Sequence, residues 1–197
     1  MRITGISEQK RSKDRFSVYV DEKYSFSITT DDLLLEKLRV GADLSSNDVE
    51  RLKAKSSDSL IAARAYEKCL RRPHSEREIR DYLRNKKASQ ELIESIILKC
   101  YKHKLLDDNL FAERWVAHRK ASHKSNRFIS SELRGKGVDP EIIAKALAES
   151  SDDQQQLRQQ IAKKRSKYND HRKLVAYLQR QGFSYSDIAS ELKTEED

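Results

Sequence analysis

The segment Ser75–Ile93, SEREIRDYLRNKKASQELI, returns in altered form fifty positions later as Ser125–Ile143, SNRFISSELRGKGVDPEII. Ser75, Arg77, Ile79, Leu83, Arg84, Lys86, Glu91 and Ile93 fall on Ser125, Arg127, Ile129, Leu133, Arg134, Lys136, Glu141 and Ile143. A further shift of forty-five sets Arg172, Leu174, Leu178, Gly182, Ile188 and Leu192 onto Arg127, Ile129, Leu133, Gly137, Ile143 and Leu147. None of these units buries its apolar face alone, so they must stack. The expected fold is mostly α, with tandem three-helix repeats. An array of this kind presents a surface to a macromolecule and rarely encloses a small molecule.

Within the first unit, Ser75 with Glu78 carries a capping-box signature, and Ile79, Tyr82 and Leu83 give the i, i+3, i+4 stripe of a half-buried helix. A second helix from about Ser89 carries Leu92, Ile93, Ile96, Ile97 and Cys100. Asp107 caps a third, on which Leu110, Phe111, Trp115 and His118 share a face. The second unit restarts at Ser125, with Asp139 as N-cap and Pro140 at N1, where a missing N–H is harmless. A sparse stripe through Leu157 and Ile161 follows, then Leu174, Tyr177 and Leu178, and a last helix capped by Ser184 and Asp187. The closing KTEED is expected to fray. Gly137 and Gly182 stand at the left-handed position that ends each unit's first helix, whereas the first unit has Lys87 there. That turn is either strained or differently shaped.

The N-terminal region has another period. RFSVYVDE and YSFSIT alternate around a polar turn near Asp21–Lys23, which predicts a β-hairpin. RITGISEQ is a candidate third strand, with KRSKDR as a loop. DDLLLEKL, SNDVERLKAK and a longer run from about Ser57 to Arg71 read as helices. The expected organisation is a capping subdomain over 1–55, a linking helix with the first repeat over 56–122, the second repeat over 123–168, and a truncated third over 169–197.

Of 197 residues, 37% are hydrophobic and 37% charged, so any core is thin relative to the surface. The net charge of +8 is unevenly placed: residues 60–125 hold 16 basic and 9 acidic side chains, while 1–59 are balanced. Clustering of this kind points to an anionic partner, nucleic acid or an acidic protein face. Cys69 and Cys100 sit on apolar stripes and read as reduced core residues. No signal peptide and no apolar run near membrane-spanning length is visible, which predicts a cytosolic protein with no membrane contact. His74, His103, His118, His123 and His171 lack cysteine or carboxylate companions at metal-ligand spacing, and no phosphate-binding glycine loop or serine nucleophile elbow occurs. No cofactor and no enzymatic activity are expected.

RRPHSEREIRDYLRNKK, LLDDNLFAERWVAHR, SSELRGKGVDPEII and finally LVAYLQRQGFSYSDI, in this order, resemble the RecX family of bacterial recombinase regulators. The resemblance spans about 65–192, and the hairpin before it is similar to the N-terminal extension of longer members. It implies an elongated, curved array that lies in the groove of the RecA–DNA filament. It also implies a role in recombination, DNA repair and the SOS response through modulation, mostly inhibition, of RecA ATP hydrolysis and strand exchange. Lys87 departs from the turn glycine.

On a helix from Ser75, Arg77, Arg80 and Arg84 share a stripe roughly opposite Ile79 and Leu83, and Lys86 and Lys87 extend it. Arg71 and Arg72 lie a turn upstream, Arg127 and Arg134 recur in the second repeat, and Lys163, Lys164 and Arg165 cluster on its third helix. These twelve are the candidate filament- or DNA-facing residues. Two readings compete: a monomeric regulator that meets DNA weakly or within the RecA filament, and an independent DNA-binding module of helix-turn-helix-like repeats. A scaffold for an unrelated protein is a third. The shortage of a polar recognition helix with base-reading spacing weighs against the second.

Overall fold

The structure, a computed structural model, describes residues 1–10, 12–150, 152–168 and 170–194. The chain divides into two compact units, Met1–Leu70 with Tyr82–Leu98, and Arg71–Asp81 with Lys99–Asp197.

In the first unit, β1 (Ile3–Gln9), β2 (Ser12–Val20) and β3 (Lys23–Thr29) form an antiparallel sheet in the order β1-β2-β3. Alternation sets Val18 opposite Phe26 and Phe16 opposite Ile28. Ile3, Val18, Val20, Phe26 and Ile28 form the buried cluster, joined by Leu52. Asp21 and Glu22 take φ of 48° and 66°, the paired left-handed geometry of a tight hairpin turn whose twist suits the flanking strands. KRSKDR is not a loop throughout: β2 begins at Ser12, and Arg11 lies outside the described residues. Pairing with β1 carries the strand back to Ser12, opposite Gln9, and Arg15 is part of it. Arg15 pairs in register with Thr29 and buries its guanidinium on Ser27 and Ser59.

Thr29 caps α1 (Thr30–Leu35), its Oγ1 accepting from the Asp32 N–H at 3.2 Å. The two helices expected after Gly41 are one, α2 (Ser46–Arg71). Ser45 and Asp48 open it with a reciprocal capping box, each side chain accepting from the other's N–H at 3.1 Å. With no glycine or proline inside, α2 carries its buried positions Val49, Leu52, Ser56, Ala65 and Cys69 through the expected break. Glu36 binds Arg51 and Lys55 at 2.9 Å each, tying the end of α1 to α2.

Helices α3 (Glu76–Asn85) and α4 (Gln90–Lys102) contribute residues to both units. Their predicted apolar positions Ile79, Leu83, Ile93, Ile96, Ile97 and Cys100 are buried. The second unit continues with α5 (Asp108–Ala121), α6 (Asn126–Gly135), α7 (Pro140–Ala148), α8 (Asp153–Arg165), α9 (His171–Arg180) and α10 (Tyr185–Thr194). Asp107, Ser125, Asp139, Asp152 and Asp170 are N-caps whose side chains accept from the first-turn N–H groups. Of the terminal KTEED, Glu195–Asp197 lie outside the described residues.

Packing phases these helices differently from the sequence spacing. Phe111, Ala112 and Val116 of α5 join Ile129, Leu133, Val138, Ile143 and Ala146 of the α6–α7 segment in one cluster. Leu157 and Ile161 of α8 join Leu174, Leu178, Phe183, Ile188 and Leu192 of the α9–α10 segment in another. In both clusters, a helix that the spacing placed last in one repeat packs with the two helices that follow it. The buried face of α5 is Phe111, Ala112, Val116 and Lys120, so Leu110 and His118 face solvent and Trp115 is half-buried.

One joint recurs between successive segments. Ser75 Oγ donates to the Lys136 carbonyl at 2.8 Å, and the Ser125 N–H donates to the Gln181 carbonyl at 2.9 Å. The next residue in each case is a turn glycine, Gly137 at φ +77° and Gly182 at φ +100°. A Cβ at Gly137 would stand 2.9 Å from Arg77 Cδ, and one at Gly182 would stand 2.5 Å from Phe128 Cβ. Glycine is thus required twice over, by φ and by the helix seated on the turn. Lys87 adopts the same left-handed conformation, φ +61°, and is exposed. The strained alternative is the one realised.

Candidate partner-binding surface

The twelve basic residues separate by how far packing has already committed them. In the first unit, Arg84, Lys86 and Lys87 are exposed at the end of α3, and Lys86 lies 5.7 Å from the Tyr82 ring centroid, with Lys68 at 5.4 Å. A cation in the last turn also complements the helix dipole, so part of this charge is structural. Lys87 sits past that turn in a conformation that glycine would adopt more readily.

In the second unit, Arg71 and Arg72 are exposed; Arg72 donates to the Pro73 carbonyl at 3.0 Å and stands 3.4 Å from Glu78. Arg77 is exposed and pairs loosely with Asp81 at 3.9 Å. Arg80 departs from the expected stripe. It is half-buried, its Nε on the Glu76 carboxylate at 2.5 Å, and Tyr101 donates to the same carboxylate at 2.6 Å. Tyr101's hydroxyl is pushed well above its ordinary pKa by burial and by that carboxylate.

Arg127 and Arg134 are brought together. Seven residues apart on α6, both exposed, they line one shallow groove with Asn126, Ser130, Ser131 and Leu147. Helical rise separates them by about 10.5 Å along the axis. The Asn126 N–H donates to both Asp153 oxygens at 2.9 Å, while its buried Oδ1 has no partner. Two guanidiniums over a seryl floor suit oxyanions, phosphate or carboxylate, because each offers a planar fork of donors.

Lys163 and Arg165 are exposed and Lys164 half-buried, 5.8 Å from the Tyr177 ring centroid, all in the last turn of α8. Burial, then the charges of Lys163 and Lys164, push the His123 pKa below its ordinary value. His123 itself is left-handed at φ +60°, as is Lys104 at +55°. A neutral imidazole among lysines is a place where an incoming anion would be felt.

Other cations escaped sequence reasoning because they serve the interior. Lys120 is buried, with its Nζ on Asp153 at 2.6 Å and on Gln156 Oε1 at 3.2 Å. Lys136 meets Glu78 at 2.6 Å and lies 4.2 Å from the Trp115 ring centroid. Arg119 covers the same ring at 4.7 Å and shares Glu132 with the Trp115 indole N–H. The acidic pair in LLDD is structural: Asp107 caps α5, and Asp108 accepts from the Glu76 N–H at 3.2 Å. Among the described residues, no three His, Cys, Asp or Glu side chains are grouped to hold a metal, and no helix is long and apolar enough to cross a membrane.

An antiparallel N-terminal sheet, tandem three-helix units and an exposed cationic helix face define a helical-repeat protein. Residues 1–45 match the Regulatory protein RecX N-terminal domain, 63–100 the first RecX three-helix domain and 107–147 the second. The chain belongs to the RecX family of regulatory proteins. It is 32% identical over 203 residues to Regulatory protein RecX of Bacillus velezensis, covering 98% of this chain and 77% of that protein. Against the Bacillus subtilis protein of the same description, identity is 30% over 197 residues, covering 95% and 75%. A crystal structure of regulatory protein RecX shares the fold with a TM-score of 0.69 at 23% identity, covering 96% of this chain and 98% of that one. That of RecX from Lactobacillus salivarius gives 0.59 at 24%, covering 70% and 96%.

Proposed function

We propose that this chain is a non-enzymatic, cytoplasmic regulator of recombination and DNA repair that binds the RecA–DNA filament as a monomer and inhibits RecA ATP hydrolysis and strand exchange. Family membership supports the class of partner. The observation that carries the reading to particular residues is the Arg127–Arg134 pair, exposed along one groove of α6. In this reading Arg71, Arg72, Arg77, Arg84, Lys86, Lys87, Lys163, Lys164 and Arg165 supplement it, while Arg80 positions Glu76 and Tyr101.

Titration into a RecA–single-strand ATPase assay tests it. Inhibition near equimolar ratio is expected, and Arg127→Glu with Arg134→Glu should raise the half-inhibitory concentration at least tenfold with an unchanged helical circular dichroism spectrum. If the pair meets phosphates, log affinity against log salt should lose a slope of about 1 per contact removed. Unchanged inhibition by the double variant rejects the assignment of the groove. No effect of the parent protein on RecA, with tight binding to bare DNA at ~150 mM salt, would favour the independent DNA-binding module.

A further inference from the structure

The end of α5 and the first turns of α8 frame a polar groove that the cationic surface does not account for. It encloses about 290 Å³ between His123 and the row Asp152, Gln155 and Gln159, with Lys120 and Gln156 in its wall. That wall is already satisfied. Lys120 Nζ lies on Asp153 at 2.6 Å, and the Gln156 carboxamide accepts from Lys120 Nζ at 3.2 Å and donates to the Lys120 carbonyl at 2.8 Å. Gln160 also turns inward and accepts from Tyr177. The open groups form one stripe. Asp152, Gln155, Gln159 and Lys163 are exposed and stand three, four and four residues apart on α8. Among the described residues, the Gln155 and Gln159 carboxamides have no protein partner. His123 closes the other side, left-handed at φ +60°, its N–H on the Lys120 carbonyl at 2.8 Å. Burial and the charges of Lys163 and Lys164 hold its imidazole uncharged at neutral pH.

The chemistry of these groups narrows the occupant. Two carboxamides and a neutral imidazole each offer a donor and an acceptor without net charge, the set that reads the edge of a heteroaromatic base. An imidazole plane is also a surface on which a base stacks. Asp152 caps the Gln154 N–H through Oδ1 at 3.2 Å, and its remaining acceptor capacity favours a base with an exocyclic amine. Lys163 and Lys164, at the far end of the stripe, supply cations for a phosphate. A bare anion gains nothing from the amides. An apolar peptide finds only Ala121. The volume lies at the small end of the range for ligand sites and suits a single nucleotide unit.

We propose that this groove binds a nucleotide whose base carries an exocyclic amine, the base edge on Asp152, Gln155, Gln159 and His123 and the phosphate toward Lys163 and Lys164. The ligand is a free nucleotide or one unit of a single strand, and the site does not depend on the RecA reading above. The test needs no filament. Deoxyadenosine monophosphate, thymidine monophosphate, inorganic phosphate and oligodeoxyadenylate are titrated separately into the full chain, with the His123 ring and glutamine side-chain amide signals followed by NMR. The adenine nucleotide should shift His123, Gln155 and Gln159 saturably, and the thymine nucleotide should bind about tenfold more weakly. Inorganic phosphate should leave both amides unmoved. Gln155→Ala with Gln159→Ala, at exposed positions, should weaken the adenine nucleotide by about tenfold with an unchanged circular dichroism spectrum. Far tighter binding of the oligonucleotide assigns the site to a strand, and equal affinity per nucleotide assigns it to the free ligand. No saturable shift, equal binding of the two nucleotides, amide shifts with phosphate alone, or undiminished binding by the double alanine variant would overturn the proposal. A chain that binds the nucleotide but does not inhibit RecA keeps this site and loses the function proposed above, and the converse result removes this site alone.

Discussion

Lys136 donates to the Glu78 carboxylate at 2.6 Å across 58 residues of chain, and its ammonium lies 4.2 Å from the Trp115 ring centroid. Helices α3 and α5 and the residue that caps α6 meet in that contact. Burial acts to raise the Glu78 pKa, but the Lys136 hydrogen bond and charge, with Arg72, hold it below the ordinary carboxylate range.

A depressed folded-state pKa means a contribution present above the unfolded value of about 4.3 and lost as pH falls through the folded one. Glu78→Gln should therefore lower stability at pH 7 by about 1–2 kcal/mol, and the difference from the parent should vanish in acid. Urea titrations at pH 7 and pH 3, followed by emission of the single tryptophan, check this. Equal losses at both pH values would mean the carboxylate charge contributes nothing.

The glycine turns give a graded series. Gly182→Ala places a methyl 2.5 Å from Phe128 Cβ and Ser125 Oγ in a left-handed turn, and the combined strain and overpacking should cost about 2–4 kcal/mol. Gly137→Ala should cost less, because its nearest neighbours, Arg77 Cδ at 2.9 Å and Arg77 Cβ at 3.0 Å, stand further off. Lys87→Gly should stabilise by up to about 1 kcal/mol, the relieved φ strain outweighing the greater freedom of glycine in the unfolded chain. If Lys87 also contacts the filament, the same variant will melt higher and inhibit less. Thermal melts and the ATPase assay separate the two effects.

Arg15 is a buried cation whose partners are neutral: Ser59 Oγ at 2.9 Å, Ser27 Oγ at 3.0 Å and the Ser27 carbonyl at 3.3 Å, with Nε unpartnered. Burial lowers its pKa accordingly. Asp32 acts on Arg15 only through its charge; Ser59→Asp supplies an anion within hydrogen-bonding reach and should raise the thermal midpoint. In an Arg15→Met background the same change should have no stabilising effect, and the double-mutant cycle should show coupling of about 1–3 kcal/mol. An additive result would show that the serine hydroxyls already satisfy the guanidinium.

His123 offers a pH readout. Its folded pKa lies below the unfolded value of about 6.5. The unfolded chain therefore takes up the proton first, and the stability this site contributes at neutral pH declines as pH falls below about 6.5. Lys163→Gln with Lys164→Gln should move the imidazole titration, followed by NMR, back toward 6.5. Binding of single-stranded DNA or filament near α8 should raise it as well. No movement in the lysine variant would leave burial as the whole cause.

Periodic features were legible in the residues themselves. The stripes of α3, α4, α6, α7 and α9, the aspartate and serine caps, Pro140 at N1 and the β2–β3 hairpin depend on neighbours within a turn or one strand pair. Those spacings are set by the 3.6-residue and two-residue periods of the backbone. Breaks between elements were less legible. Ser56, the one residue between SNDVERLKAK and Ser57, does not stop a helix, and Arg15 reads as a loop residue until Ser27 and Ser59 are seen around it.

The candidate surface divided along the same line. Residue spacing alone placed cations on α3 and α6 at helical intervals, put Gly137 and Gly182 at the ends of their helices, and set the helices in tandem units. Packing was needed to hold Arg80 and Lys136 on Glu76 and Glu78, to set α5 against α6 and α7 and α8 against α9 and α10, and to leave Leu34 and Leu35 facing water. Helix periodicity is enforced by residues three and four apart. The partner of a charge, or the absence of one for a leucine, depends on side chains that packing brings from many positions away, and no local spacing encodes them.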